Sequence, residues 1–214
     1  LRAARREGIS PLAVALKNAY LNPAHELAVA ELARELGLPH VAPSHQVAQE
    51  INLTARGDTT AADAYLSPIL CAYVERLREQ LDPSIPLRFM QSNGGLAEAE
   101  HFSGKDAVFS GPAGGVVAME RVAQEAQVSQ VIGFDMGGTS TDVSHYDGTF
   151  ERAFETTIAG VRMRAPMMRI HTVAAGGGSI CRFDGQRFRV GPGSAGADPG
   201  PACYRRGGPG SAPA

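Results

Sequence analysis

Residues 131–143 read Val-Ile-Gly-Phe-Asp-Met-Gly-Gly-Thr-Ser-Thr-Asp-Val, and they carry the most specific structural signal of the sequence. It begins with an apolar run that ends in Asp135, which predicts a β-strand. Gly137 and Gly138 then permit a tight reversal, because glycine tolerates backbone conformations that other residues avoid. A return strand is predicted to begin near Thr139. The stretch therefore predicts a β-hairpin whose connecting loop is rich in polar groups.

The composition of this loop is typical of a phosphate-binding loop. Two aspartates, two glycines and three hydroxyl side chains fall within the eight residues 135–142. Glycine N–H groups can approach phosphate oxygens closely, and the hydroxyls of Thr139 and Thr141 can donate to the same oxygens. Asp135 and Asp142 would repel phosphate, so we expect them in a Mg²⁺ shell or beside an attacking water. The alternative is a plain hairpin whose aspartates bind their own turn amides, but the density of functional groups favours the phosphate loop.

Glycine-rich segments flank the hairpin on both sides. Upstream, residues 110–115 (Ser-Gly-Pro-Ala-Gly-Gly) lead into residues 116–126, which predict a helix. A glycine-rich turn of this kind leaves backbone N–H groups at the positive end of the helix dipole, which suits an anion. Alternatively, its small residues let the start of the helix pack tightly on a neighbouring element. The sequence leaves both interpretations open. Downstream, residues 171–175 predict a strand, three glycines and Ser179 follow, and a second hairpin is predicted to end at Val190.

The first third of the sequence predicts scaffold elements. Asn22 and Pro23 form a cap and first turn for a helix that ends at Gly37. The predicted apolar face of this helix contains Val29, Leu32, Ala33 and Leu36. A second helix is predicted to begin near Asp58, and Pro68 is expected to kink or divide it. Its apolar residues at near-helical spacing are Tyr65, Ile69, Tyr73, Leu77 and Leu81.

The composition is that of a globular chain. Charged residues make up 20% and hydrophobic residues 43% of the 214 positions, and the formal net charge is −2. These values argue against a general nucleic-acid or membrane-surface binder, and no apolar run approaches the roughly 18 residues that a membrane span needs. Cys71, Cys181 and Cys203 are too few and too far apart for a disulfide framework or a zinc knuckle. We therefore expect a reducing, cytoplasmic setting, with Cys71 as a small core residue.

Residues 135–142 resemble the phosphate motif of the hydantoinase A/5-oxoprolinase family, part of the actin-like ATPase superfamily. Further blocks resemble the family in the expected order: Ser44-His45, residues 56–60 (Arg-Gly-Asp-Thr-Thr), 64–66, 89–95, 110–115, 171–179 and 190–204. The similarity covers nearly the whole chain. Residues 56–60 and 203–208 (Cys-Tyr-Arg-Arg-Gly-Gly) are most similar to the ATP-dependent 5-oxoprolinases of the family.

The resemblance implies an α/β fold, an actin-like ATPase (ribonuclease-H-like) lobe with a mixed sheet and flanking helices. We expect this lobe to be incomplete, because family members carry an earlier Asp-x-Gly-Gly-Thr loop in their other ATP-binding lobe and continue differently after Cys203. The first residue is Leu, and residues 1–6 have the composition of the end of an Arg-rich transit peptide. An internal fragment of a longer polypeptide explains the missing Met better. Residues 1–63 would end an N-terminal hydantoinase/oxoprolinase region, and residues 64–214 would begin the central domain with the second phosphate loop.

The function that the resemblance implies is ATP-dependent hydrolysis of a cyclic amide, with 5-oxo-L-proline converted to L-glutamate in glutathione metabolism. ATP and Mg²⁺ are the implied cofactors, and Asp135 and Asp142 would be catalytic and bind Mg²⁺ through water. The implied partners are a small cyclic amide and the remaining domains or subunits of the parent enzyme, with no nucleic acid and no membrane. The residues that would contact the nucleotide are Gly137, Gly138, Thr139, Ser140, Thr141, Gly176, Gly177, Gly178 and Ser179.

Two groups of alternatives remain open. Within the family, an ATP-dependent hydantoinase or an acetone-carboxylase-type subunit would share the phosphate loop, since each activates a carbonyl or carboxylate with ATP. From a different class, an actin-like module would use ATP only to switch conformation, and an inactive fragment would not use ATP at all. A switch module would hydrolyse ATP without needing a cyclic amide. The fragment alone is expected to bind ATP weakly and to be inactive, because an actin-like ATPase binds its nucleotide between two lobes.

Overall fold

A computed structural model describes residues 1–158 and 160–210, and it is mixed α/β, as predicted. The helices are α1 (Arg2–Arg6), α2 (Ala24–Glu35), α3 (Ser44–Val47), α4 (Leu53–Gln80), α5 (Gly104–Ala107) and α6 (Ser110–Glu125). The strands are β1 (Pro11–Val14), β2 (His40–Pro43), β3 (Arg88–Met90), β4 (Leu96–Glu98), β5 (Val131–Met136), β6 (Thr141–Tyr146), β7 (Arg152–Ala153), β8 (Thr156–Ile158), β9 (Val161–Met163), β10 (Met167–Met168), β11 (His171–Val173), β12 (Ser179–Phe183) and β13 (Phe188–Ser194).

The chain divides into two compact units. The first contains Leu1–Gly114 and Arg152–Met168, and the second contains Gly115–Glu151 and Arg169–Ala214. These two units are defined by which residues contact one another in space. The predicted division into residues 1–63 and 64–214 refers instead to two regions of the family's longer sequences, and it stays a prediction. None of the helices within the described ranges is long and apolar enough to span a bilayer.

The described strands pair in several small sheets. Strands β1 and β2 pair in parallel, with Pro11 opposite His40 and Val14 opposite Pro43, and the other pairs are antiparallel. Parallel and antiparallel pairing therefore both occur, but in separate sheets rather than in one mixed sheet. Most strands have only two to six residues. Most pairs join consecutive strands of the chain, and the exceptions are β7 with β10 and β6 with β11.

Helix α4 is the longest element of the first unit. It begins at Leu53, five residues before the predicted start, because the Asn52 side chain accepts a hydrogen bond from Ala55 N at 3.1 Å and caps the helix. It continues to Gln80 as one helix, and Pro68 does not divide it. Contacts with β1, β2, β9 and α5 support α4 and offset the cost of an internal proline, about 3 kcal/mol.

The buried face of α4 is largely polar. Its first half buries Arg56, Thr59, Thr60 and Asp63, whereas the apolar residues that the sequence placed at helical spacing are exposed, among them Tyr65, Ile69 and Tyr73. The expectation that Cys71 is a core residue is wrong, because its position on α4 exposes it. The apolar core of this unit instead contains Met163, Ala165 and Met167.

The second unit is built on the predicted hairpin. Strands β5 and β6 pair antiparallel, and β11 pairs with the other edge of β6, giving the order β11-β6-β5. Helix α6 contacts this sheet, where the Ser144 hydroxyl lies 3.8 Å from Met119 Sδ. The second predicted hairpin is β12–β13, in which Phe183 pairs with Phe188. Both hairpins are therefore confirmed.

The glycine-rich segment 110–115 differs from its predicted conformation. It is the start of α6 rather than a turn before a helix at Val116. A Cβ atom on Gly115 would lie 3.8 Å from Asp135 Oδ2, which is an ordinary van der Waals distance, and a Cβ atom on Gly111 would meet nothing within 4 Å. Close packing therefore does not require glycine at these two positions, and the choice between the anion and the packing roles stays open.

Candidate functional site

The loop between β5 and β6 is a tight turn open to solvent. Gly137 N donates to Ser140 O at 2.9 Å and closes the turn, while Gly138 and Thr139 are exposed at its tip. Among the described residues, the N–H groups of Gly138 and Thr139 have no hydrogen-bond partner. Together with the exposed Thr139 hydroxyl, they form a set of donors that suits an anion.

The glycines of residues 176–178 hold a second loop against the first. Gly177 N donates to Gly137 O at 2.9 Å, and Gly178 N donates to Gly138 O at 2.8 Å. A Cβ atom on Gly176 would lie 2.5 Å from Gly137 O, closer than any side chain tolerates. The two loops, residues 137–140 and 175–179, therefore form one unit, which we call the double loop.

Two buried hydroxyls hold the double loop together. Thr141 is 4% exposed, and its hydroxyl donates to Ala175 O at 2.6 Å. Ser179 is 6% exposed, and its hydroxyl accepts from Gly176 N at 3.0 Å. The Thr141 proton is thus directed at protein rather than at solvent. Of the residues that the sequence proposed for nucleotide contact, three are exposed: Gly137, Gly138 and Thr139. Ser140 and Gly177 are half-buried, and the buried ones are Thr141, Gly176, Gly178 and Ser179.

The two aspartates of the motif lie side by side. Asp135 on β5 is directly opposite Asp142 on β6, so both side chains project from the same face of the sheet. Asp135 is exposed and Asp142 is half-buried. The Thr172 hydroxyl on β11 donates to Asp142 Oδ1 at 2.6 Å. Two like charges at directly opposite positions destabilise a strand pair, and a cation between them would relieve this repulsion.

This pair of carboxylates fits Mg²⁺. Magnesium is usually held by one or two carboxylates and keeps several waters, which it shares with substrate phosphates. Asp135 and Asp142 would hold the ion beside the exposed tip of the double loop. Residues 1–158 and 160–210 contain no group of three or more His, Cys, Asp or Glu side chains suited to a metal, so a closed zinc-type cage has no support there.

A second polar cluster lies in the first unit and was missed by sequence reasoning. Glu26 on α2 is fully buried, and its Oε1 accepts from Ser44 Oγ at 2.5 Å and from Leu16 N at 2.8 Å. Its Oε2 lies 2.7 Å from His45 Nδ1, and Arg56 Nε donates to the Ser44 hydroxyl at 2.7 Å. The cluster joins the end of β1 to α2, α3 and α4.

Burial would raise the pKa of Glu26, but hydrogen bonds from Ser44, His45 and two backbone N–H groups outweigh burial and hold the pKa below its ordinary value. The available sequence signal was the spacing of Glu26 with Ala30 and Ala33, which are also buried on α2. The sequence instead suggested a face that includes Leu32, which is exposed.

Comparison with known proteins places these features in a family. The profile described as hydantoinase/oxoprolinase matches residues 56–214. The chain is 48% identical over 206 residues to 5-oxoprolinase 1 of Arabidopsis thaliana, covering 94% of this chain and 16% of that protein. It is 45% identical over 213 residues to 5-oxoprolinase of Saccharomyces cerevisiae, covering 98% of this chain and 17% of that protein.

A solved structure agrees with the sequence comparison. The crystal structure of ATP-dependent caprolactamase from Pseudomonas jessenii superposes with a TM-score of 0.76 and 36% identity, covering 96% of this chain and 31% of that one. In the sequence comparison, the chain spans about one sixth of the length of the two 5-oxoprolinases. The chain belongs to the hydantoinase/oxoprolinase family.

Proposed function

We propose that this chain is the phosphate-binding segment of an ATP-dependent hydrolase of cyclic amides, with 5-oxo-L-proline as its substrate. The observation that carries the proposal is the identity of nearly half of its residues to two 5-oxoprolinases along almost the whole chain. Because the chain spans about one sixth of those proteins, we assign the activity to a polypeptide that also carries the remaining segments. The isolated chain is expected to be inactive.

The chemistry explains why such an enzyme needs ATP. An unstrained amide is a poor electrophile, and its hydrolysis is slow. Transfer of the γ-phosphoryl group from ATP to the lactam oxygen releases ADP and activates the carbonyl carbon. Water then adds to that carbon, the ring C–N bond breaks as nitrogen takes a proton, and an acyl phosphate remains. A second water releases phosphate and L-glutamate, so the sum consumes one ATP and two waters.

The double loop supports the phosphate-handling part of this scheme. The free N–H groups of Gly138 and Thr139 would meet phosphate oxygens, since positioned donors and cations are what phosphoryl transfer requires of a protein. Asp135 and Asp142 would hold Mg²⁺, which neutralises phosphate charge when bound. We further propose that the sheet β11-β6-β5 with α6 is part of an actin-like ATPase lobe. The support for this is the glycine-rich motif of residues 135–142, whose turn connects β5 to β6.

The test is the Asp135→Asn variant of the full-length protein that contains this chain. We expect 5-oxoproline-dependent ATP hydrolysis to fall by about 100-fold, because the amide cannot replace a carboxylate that positions a cation beside the transferred phosphate. The measurement is phosphate release with and without 5-oxo-L-proline. Hydantoin, caprolactam, and acetone with bicarbonate are offered in parallel to separate the substrates of related enzymes.

Asp147→Asn is the matched control, because Asp147 is an exposed aspartate just beyond the end of β6. Its turnover should equal that of the unmodified protein. Undiminished turnover in Asp135→Asn would remove that residue from the mechanism. ATP hydrolysis that needs no cyclic amide would instead favour a conformational switch.

A further inference from the structure

Thr172 lies in a row of three residues that crosses the sheet at the phosphate site. On β11 it is directly opposite Asp142, and Asp142 on β6 is directly opposite Asp135 on β5. Residues at directly opposite positions share a face of the sheet, so the threonine and both aspartates project to the same side. Sequence reasoning assigned Thr172 no individual role.

The two carboxylates of the row differ in how they are held. The Thr172 hydroxyl donates to Asp142 Oδ1 at 2.6 Å, a short bond of the charge-assisted kind. Within the described residues, no side chain or backbone N–H donates to the carboxylate of Asp135. The carboxylate of Asp142 therefore has a hydrogen bond from the neighbouring strand, whereas the carboxylate of Asp135 has no such bond.

The contact is not explained by packing. Thr172 is exposed, and the whole of β11 is exposed with it. An exposed threonine contributes little to a core, and valine has the same β-branched shape and suits a strand equally well. The hydroxyl of Thr172 thus distinguishes it from valine at this position, through its hydrogen bond to Asp142.

We propose that Thr172 is a positioning residue for the reaction: it holds the Asp142 carboxylate in one orientation, so that Asp142 is already oriented beside Asp135 when Mg²⁺ arrives with ATP. This inference rests on the proposed function. Without the hydroxyl, Asp142 reorients like Asp135, and part of the energy of nucleotide binding is used to order it. Both nucleotide binding and turnover depend on the bond.

The experiment compares Thr172→Val with Thr172→Ser in the full-length protein. We expect Thr172→Val to lower kcat for 5-oxoproline-dependent ATP hydrolysis by about tenfold, the size of effect expected for one hydrogen bond to a charged group, and to leave KM for 5-oxoproline unchanged. Thr172→Ser keeps the hydroxyl and should restore most of the rate. Calorimetry with ADP and Mg²⁺ supplies a readout without turnover, in which Thr172→Val should bind several-fold more weakly.

Thr149→Val is the matched control, because the Thr149 hydroxyl also contacts an aspartate, Asp147, at 3.4 Å on the exposed surface. This variant should match the unmodified protein in rate and binding. Normal kcat and normal Mg²⁺-dependent ADP binding in Thr172→Val would overturn the inference, as would equal losses in the valine and serine variants together with a lower melting temperature. If the unmodified protein needs no 5-oxoproline for ATP hydrolysis, the proposed function fails, and the ADP measurement still decides the role of Thr172.

Discussion

Glu26 is fully buried on α2, yet its two carboxylate oxygens accept four hydrogen bonds from Leu16, Ser44 and His45. A buried carboxylate that is hydrogen-bonded on both oxygens favours its charged form, and the lowered pKa of Glu26 expresses this preference. The same bonds connect α2, α3 and Leu16. The charge of one side chain therefore contributes to the stability of this part of the first unit.

Replacing Glu26 by Gln is expected to lower the free energy of unfolding at neutral pH by about 1–3 kcal/mol, because the amide leaves buried donors without an acceptor. Since the folded-state pKa is lowered, the carboxylate stabilises the fold fully above its unfolded-state pKa of about 4.3, and this stability is lost as pH falls through the folded-state value. Urea unfolding of the chain between about pH 7 and about pH 3 measures both effects. Glu26→Gln should flatten the acid part of the profile.

Glu31→Gln is the control for this measurement, because Glu31 lies on the exposed side of the same helix. It should change the unfolding free energy by less than about 0.5 kcal/mol. Equal stability and equal acid sensitivity in the two variants would show that the buried contacts of Glu26 contribute nothing.

Single residues were predictable from the sequence to different degrees. Asp135 and Asp142 were proposed as site residues because they lie in one short motif, and their role stays a prediction, whereas their opposite positions on the predicted hairpin are observed. Glu26 was not identified, because apolar periodicity marks apolar faces, and the spacing of Glu26 with the buried Ala30 and Ala33 does not by itself mark an acid as buried. Its partners Ser44 and His45 are about twenty residues away along the chain, and only the fold brings them together.

The double loop is the element on which the candidate site depends. Its backbone bonds bring residues 137–138 and 177–178 together, and Gly176 is buried at the point of closest approach. The three consecutive glycines at residues 176–178 could allow close approach either to a phosphate or to the backbone of another loop. The structure shows the second use: the N–H groups of Gly177 and Gly178 are directed at loop carbonyls.

Gly176→Ala is expected to separate the two loops. The added Cβ atom would lie 2.5 Å from Gly137 O and 2.8 Å from Gly138 C, and backbone atoms cannot yield as the end of a flexible side chain does. We expect a loss of about 1–3 kcal/mol in stability, the usual cost of overpacking. The full-length protein should also lose at least about tenfold in 5-oxoproline-dependent ATP hydrolysis, because a small misplacement of a site is costly. Melting temperature and phosphate release measure the two effects.

Gly111→Ala supplies the comparison, because a Cβ atom on this residue of α6 meets no atom within 4 Å. Alanine should be neutral or slightly stabilising in a helix. If Gly176→Ala behaves like Gly111→Ala in both measurements, the close approach of the two loops is not required.

Elements with local signals were predictable, and contacts between them were not. The β5–β6 hairpin follows from an apolar strand, two glycines and a return strand, all within sixteen residues. The start of α6 at Ser110 was missed, since glycine and proline in residues 110–115 locally disfavour a helix. The undivided α4 was missed for a similar reason, because its contacts with β1, β2, β9 and α5 are tertiary.

At the scale of the molecule, the compact units do not follow the order of the chain. Residues 152–168 return to the first unit after the β5–β6 hairpin, and the chain then re-enters the second unit at Arg169. No local pattern announces such a return, since composition and periodicity describe neighbours in sequence. The family and the α/β class were predictable because the motifs are specific and cover nearly the whole chain.

The isolated chain is expected to bind nucleotide only weakly. The double loop offers donors to phosphates, but exposed contacts to phosphates alone are weak because water and salt screen them. We expect the dissociation constant of Mg²⁺·ATP, measured by calorimetry, to be at least about 100-fold higher for the 214-residue chain than for the full-length protein. Cooperative thermal unfolding of the chain is the control that it is folded, and Asp135→Asn should abolish the residual binding. Equal affinities of the 214-residue chain and the full-length protein for Mg²⁺·ATP would contradict this expectation. They would mean that residues of this chain form the complete nucleotide site and that the remaining segments do not take part in ATP binding.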